Sequence, residues 1–177
     1  SDEGEPVVPE EIVLKTLRSH ASKGQPMQRL NLSDKGLHDH DLLPILFIVR
    51  RLKHLVRLDL SRNNLTWRSC QNIVRCLTGR VRDNVSYFGL SELDLSFNRE
   101  IGLKGAQQIA EGLSSNFCSL HYLNLEQTGI TTEGCDIILK SIIENPNSVL
   151  VKLNLRQCGA ADDQVALALE AAKLRPS

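Results

Sequence analysis

Residues 55–64 read LVRLDLSRNN and residues 90–99 read LSELDLSFNR, so the pattern L-x-x-L-D-L-S-x-N occurs twice in a chain of 177 residues. Three further segments share its leucine spacing: MQRLNLSDKGL, LHYLNLEQTGI and LVKLNLRQCGA, at 27–37, 120–130 and 150–160. Alternating leucines are typical of a strand with one buried face, and their return about every 30 residues is typical of a stacked repeat. The sequence therefore predicts five units, with central leucines at Leu30, Leu58, Leu93, Leu123 and Leu153.

The second half of each unit has a helical period. In unit one the apolar residues after the strand motif are Leu42, Ile45, Leu46 and Val49, and the same offsets recur in the other four units. Spacings of three and four mark one face of an amphipathic helix. We expect a strand, a turn and a helix in every unit, preceded by an N-terminal helix at 9–22 and ending with a helix at 162–173 that begins at an Asp cap.

On these motifs, the chain resembles the leucine-rich-repeat proteins of the ribonuclease-inhibitor-like class over residues 27–174. The resemblance implies an α/β solenoid, a short horseshoe with an inner parallel β-sheet and outer helices, made of five repeats plus an N-terminal capping helix. The predicted organisation is a flexible tail at 1–8, a capping helix at 9–26 and one repeat domain at 27–174. The position whose side chain ties neighbouring turns together in this family corresponds here to Asn63, Asn98, Thr128 and Cys158.

The exit from each strand calls for a sharp turn. Gly36, Asn64, Gly129 and Gly159 occupy equivalent positions there, and these residue types tolerate a positive φ. Unit three has Glu100 and one extra residue at this point, which predicts a local bulge.

Composition excludes several classes of function. The chain has 21 basic and 21 acidic residues, so we expect no bulk attraction to nucleic acid or to a membrane surface, and no apolar run approaches the ~20 residues of a membrane span. The five cysteines form no C-x-x-C pair, which argues against zinc and for a reducing, intracellular and cytoplasmic setting, with cytoskeletal association left open. We expect a monomer.

Signatures of catalysis are also missing. The chain has no phosphate-binding glycine loop, no nucleophile elbow and no H-E-x-x-H motif, so the prediction is a non-enzyme without a cofactor or metal. The stretch LHDHDL at 37–42 is the one His/Asp cluster. It lies where a turn enters a helix, which favours capping over metal binding.

Strand periodicity predicts which side chains face away from the core. The outward columns are Arg29, Arg57, Glu92, Tyr122 and Lys152; then Asn31, Asp59, Asp94, Asn124 and Asn154; then Ser33, Ser61, Ser96, Glu126 and Arg156. The Asn/Asp column is expected mainly to hydrogen-bond across strands. Arg62 and Phe97 lie at the strand ends beside them. The predicted partner-binding residues are Arg29, Arg57, Arg62, Glu92, Phe97, Tyr122, Glu126, Lys152 and Arg156.

Two features depart from the repeat and supply secondary candidates. Trp67 and Leu103 occupy equivalent positions at the mouths of successive helices, where they either cover each other or form an apolar patch on the rim. An insertion at 78–89 is either a packed loop or a recognition loop. Its candidate side chains are Arg80, Arg82, Tyr87 and Phe88.

Charge is unevenly distributed along the chain. Between residues 46 and 85 there are nine cations and two acids. These cations either complement helix C-termini or form a surface for an acidic partner.

The leading functional hypothesis is a protein-binding module that uses the concave face and rim of the solenoid. Two alternatives remain open: regulation of a GTPase, as in some proteins that the repeat resembles, and a scaffold or capping domain on cytoskeletal filaments.

Overall fold

A computed structural model describes residues 9–21, 24, 26–78, 89–115 and 119–174. The described residues contain six helices and five short strands in strictly alternating order after the first helix. The helices are α1 (Pro9–Ala21), α2 (Asp39–Val49), α3 (Trp67–Thr78), α4 (Gly102–Leu113), α5 (Thr132–Glu144) and α6 (Asp162–Lys173). The strands are β1 (Arg29–Asn31), β2 (Arg57–Asp59), β3 (Glu92–Asp94), β4 (Tyr122–Asn124) and β5 (Lys152–Asn154).

The five strands form one parallel sheet in chain order. Their register pairs the central leucines of successive units, so that Leu30, Leu58, Leu93, Leu123 and Leu153 lie side by side. Because the strands are parallel and follow one another in chain order, each intervening helix must carry the chain back to the end of the sheet at which the strands begin. The α/β solenoid predicted from the repeat is confirmed.

The core lies between the sheet and the helices. The strand leucines and the inward faces of α2, α4 and α5 are buried, as the helical period predicts. Val74 on α3 and Ala172 on α6 are only partly buried, and Leu77 is not among the side chains that the structure describes. Each buried leucine contributes about 1.5–3 kcal/mol before chain entropy is subtracted.

The turn after each strand contains a left-handed residue that the sequence does not predict. Asp34, Arg62, Phe97, Gln127 and Gln157 have φ between 52° and 61° and occupy equivalent positions. Gly36, Gly129 and Gly159 also have positive φ, as expected. Asn64 does not, and that prediction is wrong: its N–H donates to the carbonyl of Leu37 at 2.8 Å, which holds it in a short bridge with unit one.

The start of the last helix corrects one further expectation. The last helix spans the predicted residues, but its N-cap is Ala161, and Asp162 lies inside the first turn. The N-terminal helix is described as far as Ala21, and its predicted last residue, Ser22, lies outside the described residues. Aspartate is nevertheless favourable in the first turn of α6, because its charge complements the helix dipole.

Candidate functional site

The sheet face turned away from the helices, called the inner face below, carries the predicted partner-binding residues. Because side chains alternate along a strand, the residues flanking each buried leucine point to this face. The register aligns Arg29, Arg57, Glu92, Tyr122 and Lys152 in one column across the five strands. The structure therefore brings these five predicted residues together.

Arg57 is the centre of a charge cluster on the inner face. Its guanidinium nitrogens lie 3.2 Å from a carboxylate oxygen of Glu92, 3.7 Å from Asp94 and 3.8 Å from Asp59. Three carboxylates surround one cation, so the middle of the face has an excess of negative charge. The sequence predicts a structural ladder for Asp59 and Asp94. The signal for their place in the charge cluster is that they lie two residues from Arg57 and Glu92 on the paired strands β2 and β3.

Tyr122 lies between this cluster and the basic end of the column. The Lys152 amine is 5.2 Å from the centre of its ring and the Arg57 guanidinium is 5.9 Å away. Burial raises the pKa of the Tyr122 hydroxyl, and the negative charge of Asp94 adds to this, while Arg57 acts in the opposite direction. The phenol thus stays neutral at ordinary pH and offers an aromatic surface with a hydrogen-bonding tip.

The Asn/Asp column makes local turns more than a cross-strand ladder, contrary to expectation. In every unit the side-chain oxygen of the Asn or Asp accepts the backbone N–H two residues later, at 2.8–3.1 Å. One bond within the column crosses strands, from Asn124 to Asp94 at 3.0 Å. These side chains start the turn out of the strand, and Asp94 and Asn124 are themselves buried.

The third column is less open than predicted. Ser61 and Ser96 are buried, and their hydroxyls donate to Asp59 and Asp94, at 2.7 and 2.6 Å. Glu126 is partly exposed and accepts a bond from the Asn154 amide at 3.2 Å, while Arg156 is exposed. Only the last two units therefore present charged groups in this column.

Arg62 and Phe97 form a stacked pair beside the inner face. The guanidinium of Arg62 lies 4.1 Å from the centre of the Phe97 ring. Both residues are in the left-handed region, with φ of 56° and 61°. A bulky residue adopts this conformation only where its surroundings hold it there, so the turn fixes the direction of both side chains.

Of the secondary candidate residues, the structure describes the pair on the rim but not those in the insertion. Trp67 and Leu103 are both partly exposed, and the Trp67 ring is flanked by the Arg68 guanidinium at 4.9 Å and the Lys104 amine at 5.5 Å. The rim therefore carries an aromatic group between two cations. Arg80, Arg82, Tyr87 and Phe88 lie outside the described residues, so the role of the insertion stays a prediction.

The LHDHDL stretch has the structural role that its position predicts. Asp41 accepts the N–H of His38 at 2.8 Å and so caps α2. Asp39 accepts bonds from the backbone and hydroxyl of Thr66 and from the Ser69 hydroxyl, so it ties α2 to the start of α3. Burial of Asp39 opposes its ionisation, but the bonds from Ser69 and Thr66 outweigh this and lower its pKa. No group of three metal-ligating side chains occurs among the described residues.

Ser91 and His121 form a Ser–His contact, the kind of pair that nucleophilic catalysis can use. The two side chains meet at 3.1 Å through Nδ1 of His121. The same nitrogen lies 2.9 Å from the carbonyl oxygen of Ser119. A carbonyl only accepts, so Nδ1 carries the proton and is not available as a base for the serine hydroxyl.

The buried cysteines also lack the environment of a nucleophile. Burial raises the pKa of the Cys70 thiol to about 12 and that of Cys135 to about 11, with the nearby charges of Asp39 and Cys158 adding to the effect. Cys70, Cys76, Cys135 and Cys158 are free thiols. A thiol with such a high pKa is protonated and unreactive near neutral pH.

None of the helices in the described part of the chain is long and apolar enough to cross a bilayer.

Comparison with known proteins agrees with the repeat. A family model described as "Leucine Rich repeat" matches residues 51–71 and 90–110. The chain is 30% identical to pig (Sus scrofa) ribonuclease inhibitor over 141 residues, which is 79% of this chain and 29% of that protein. It is 30% identical to human (Homo sapiens) NACHT, LRR and PYD domains-containing protein 12 over 155 residues, or 85% and 13% of the two chains. The mouse (Mus musculus) centrosomal protein of 78 kDa is 26% identical over 160 residues, or 81% and 20%.

The chain thus spans less than a third of the length of each of these relatives. What it shares with them is the repeat, whose five units stack in the register that the leucines dictate. Leucine-rich-repeat domains generally mediate protein–protein interactions, and those of this type are typically not catalytic. The chain is a leucine-rich-repeat protein of the ribonuclease-inhibitor-like class.

Proposed function

We propose that the protein binds a protein partner through its inner face and rim, without catalysing a reaction. Residues 27–174 form the binding domain in this proposal, and residues 9–26 cap its first unit. The free thiols support an intracellular setting.

The observation that carries this proposal is the arrangement around Tyr122. The ring is partly exposed on the fourth of the five strands, with Lys152 on one side and the acidic cluster of Arg57 on the other. Tyrosine beside fixed charges is typical of interface anchors, because a rigid amphipathic ring contributes contact area at little entropic cost. Ion pairs within the sheet already orient Arg57 and the carboxylates around it, which lowers the cost of ordering this cluster on binding.

Charge along the face defines the partner that fits. The centre has three carboxylates around Arg57, whereas Arg29 and Lys152 lie at the two ends of the column. The complementary partner has a cationic centre with acidic groups on either side. Such complementarity sets specificity and association rate more than affinity.

The experiment is affinity capture of a partner from the native source, followed by measurement of its affinity for variants of the purified chain. Y122A and K152E should each weaken binding about tenfold or more. Q107A/E111A changes two exposed residues on the outer helix α4 and serves as the matched control. If the inner-face variants bind like the control, the proposal is wrong.

The name of one relative, ribonuclease inhibitor, suggests a ribonuclease as one partner to test. Ribonuclease activity measured with increasing amounts of the chain tests whether it shares the property for which the pig protein is named. Dose-dependent inhibition that K152E removes would identify a ribonuclease as the partner. Unchanged activity would leave the captured protein as the partner to characterise.

A further inference from the structure

The outer face of α2 carries two large exposed apolar side chains. Leu43 and Phe47 are 56% and 53% exposed, one helical turn apart. Residues four apart lie next to each other on a helix surface, so the two form one strip. The opposite face of the same helix buries Leu42, Ile45, Leu46 and Val49 in the core.

The other units supply an internal reference for this face. The residues equivalent to Leu43 are Gln71, Gln107, Asp136 and Ala166, and those equivalent to Phe47 are Arg75, Glu111, Lys140 and Glu170. In all four other units the second position is charged, and in three of them the first is polar. The apolar strip is therefore a property of α2 and is not required by the stacking of the solenoid.

Cations border the strip at one end. The guanidinium of Arg51 lies 4.4 Å from the centre of the Phe47 ring and that of Arg50 lies 5.9 Å away. Arg75 occupies the position equivalent to Phe47 on the next helix, and neighbouring helices pack about 8–10 Å apart. Within the described part of the chain, none of these three arginines has a carboxylate within ion-pair distance.

The helix dipole explains only part of this cluster. Arg50 is the C-cap of α2 and Arg75 lies in the last turn of α3, so the helix dipole favours both charges, but it does not account for the exposed Leu43. Nor does it explain the aromatic ring beneath two guanidinium groups. An exposed apolar strip with unpaired cations at its end matches an acidic amphipathic helix, whose apolar residues would cover the strip while its carboxylates meet the arginines.

We propose that the α2 surface formed by Leu43, Phe47, Arg50, Arg51 and Arg75 docks an acidic amphipathic segment of a partner protein. This surface is on the side of the sheet opposite to the inner face, and the proposal does not depend on the function proposed there. The protein would then bind two partners, or two parts of one partner, at once.

The test uses peptides of about 16 residues displayed on phage and selected on the full chain, with L43Q/F47E used to remove non-specific binders. This double variant places on α2 the residues found at the same positions of α4, Gln107 and Glu111, so it should fold normally by circular dichroism. We expect the selected peptides to combine acidic residues with apolar residues at helical spacing. Their affinity, measured by fluorescence anisotropy, should fall about tenfold or more in both L43Q/F47E and R50E/R51E.

The matched control Q107A/E111A on α4 should bind these peptides like the wild type. Absence of enrichment over L43Q/F47E, or peptides without an acidic excess, would overturn the proposal. So would binding that R50E/R51E leaves unchanged, since the charge complementarity would then be absent.

Three other occupants give distinct results, each of which overturns the proposal. Sedimentation with vesicles of phosphatidylcholine and phosphatidylserine that L43Q/F47E abolishes would identify a membrane. Concentration-dependent self-association by analytical ultracentrifugation that L43Q/F47E abolishes would identify a second copy of the chain. Peptide binding that occurs only after removal of residues 1–8 would identify that segment, which contains three acidic residues and two valines.

Discussion

The junctions between units differ along the solenoid in how they are held. Between units two and three, Asn98 accepts the N–H of Leu65 at 3.1 Å and donates to the carbonyls of Leu60 and Leu95 at 3.0 and 2.8 Å. Between units three and four the equivalent residue is Thr128, whose hydroxyl donates to Leu125 in its own unit at 2.6 Å. A shorter side chain cannot span the gap between turns.

Close approach of the backbone replaces the missing side-chain link at that second junction. The N–H of Gly102 donates to the carbonyl of Thr128 at 3.0 Å. A Cβ added to Gly129 would lie 2.2 Å from the carbonyl oxygen of Arg99. The same repeat is thus held by side-chain hydrogen bonds at one junction and by glycine-dependent contact at the next.

The largest expected effect comes from breaking the glycine-dependent junction. G129A combines a φ of 70° with a clash against backbone, and it should lower the free energy of unfolding by about 3–5 kcal/mol. G36A is the matched control, because its φ is 65° but nothing lies within 4 Å of the added Cβ; it should cost about 1 kcal/mol. Urea unfolding measures both, and equal losses would show that backbone contact does not hold this junction.

The next effect comes from removing the side-chain link. N98A leaves the buried N–H of Leu65 without its acceptor and should cost about 2–4 kcal/mol. T128A should cost only about 1 kcal/mol, since the carbonyl of Leu125 keeps the bond from the Cys158 thiol at 3.1 Å. A larger loss in T128A than in N98A, by the same urea measurement, would reverse the comparison.

A smaller and pH-dependent effect concerns Asp39, which ties unit one to unit two on the helix side. Its folded pKa is lowered below the ordinary value of 3.8, so its contribution to stability is present above that pH and is lost as the pH falls through the folded pKa. D39N should therefore be less stable than the wild type at pH 7, and the difference should shrink on acidification below pH 3.8. Unfolding curves at several pH values test this; D136N, at an exposed aspartate of α5, is the control.

The smallest effect is expected on the inner face. Arg57 and Glu92 pair at 3.2 Å but are each about one-third exposed, so a double-mutant cycle with R57A and E92A should give a coupling below about 1 kcal/mol. The more exposed pair of Lys140 and Glu144, at 3.8 Å, should give about 0.3 kcal/mol. A coupling of several kcal/mol would mean that this column serves the fold more than recognition.

The repeat made much of the architecture predictable. Five leucines in register define which strands are neighbours, and the period of the intervening residues defines the buried face of each helix. The first column of the inner face followed from the same register. The turns were harder, because the left-handed residues Arg62, Phe97 and Gln127 are of types that do not favour that conformation.

The strand pattern did not predict how exposed each outward side chain is. Ser61 and Ser96 fall in the outward column but are buried, with their hydroxyls bonded to Asp59 and Asp94 of their own strands. The strand pattern does not predict the exposed strip of Leu43 and Phe47, although the outer helix positions of the five units, compared with one another, indicate it.

The sequence alone determined the number of units, the pairing of the strands and the direction of each strand side chain, because these depend on local periodicity repeated in register. Only the tertiary structure decided which polar side chains join one unit to the next, which of them remain open to a partner, and where Gly129 must touch backbone. Those properties depend on distances between residues about 30 positions apart, which the packing of neighbouring turns sets and no local pattern encodes.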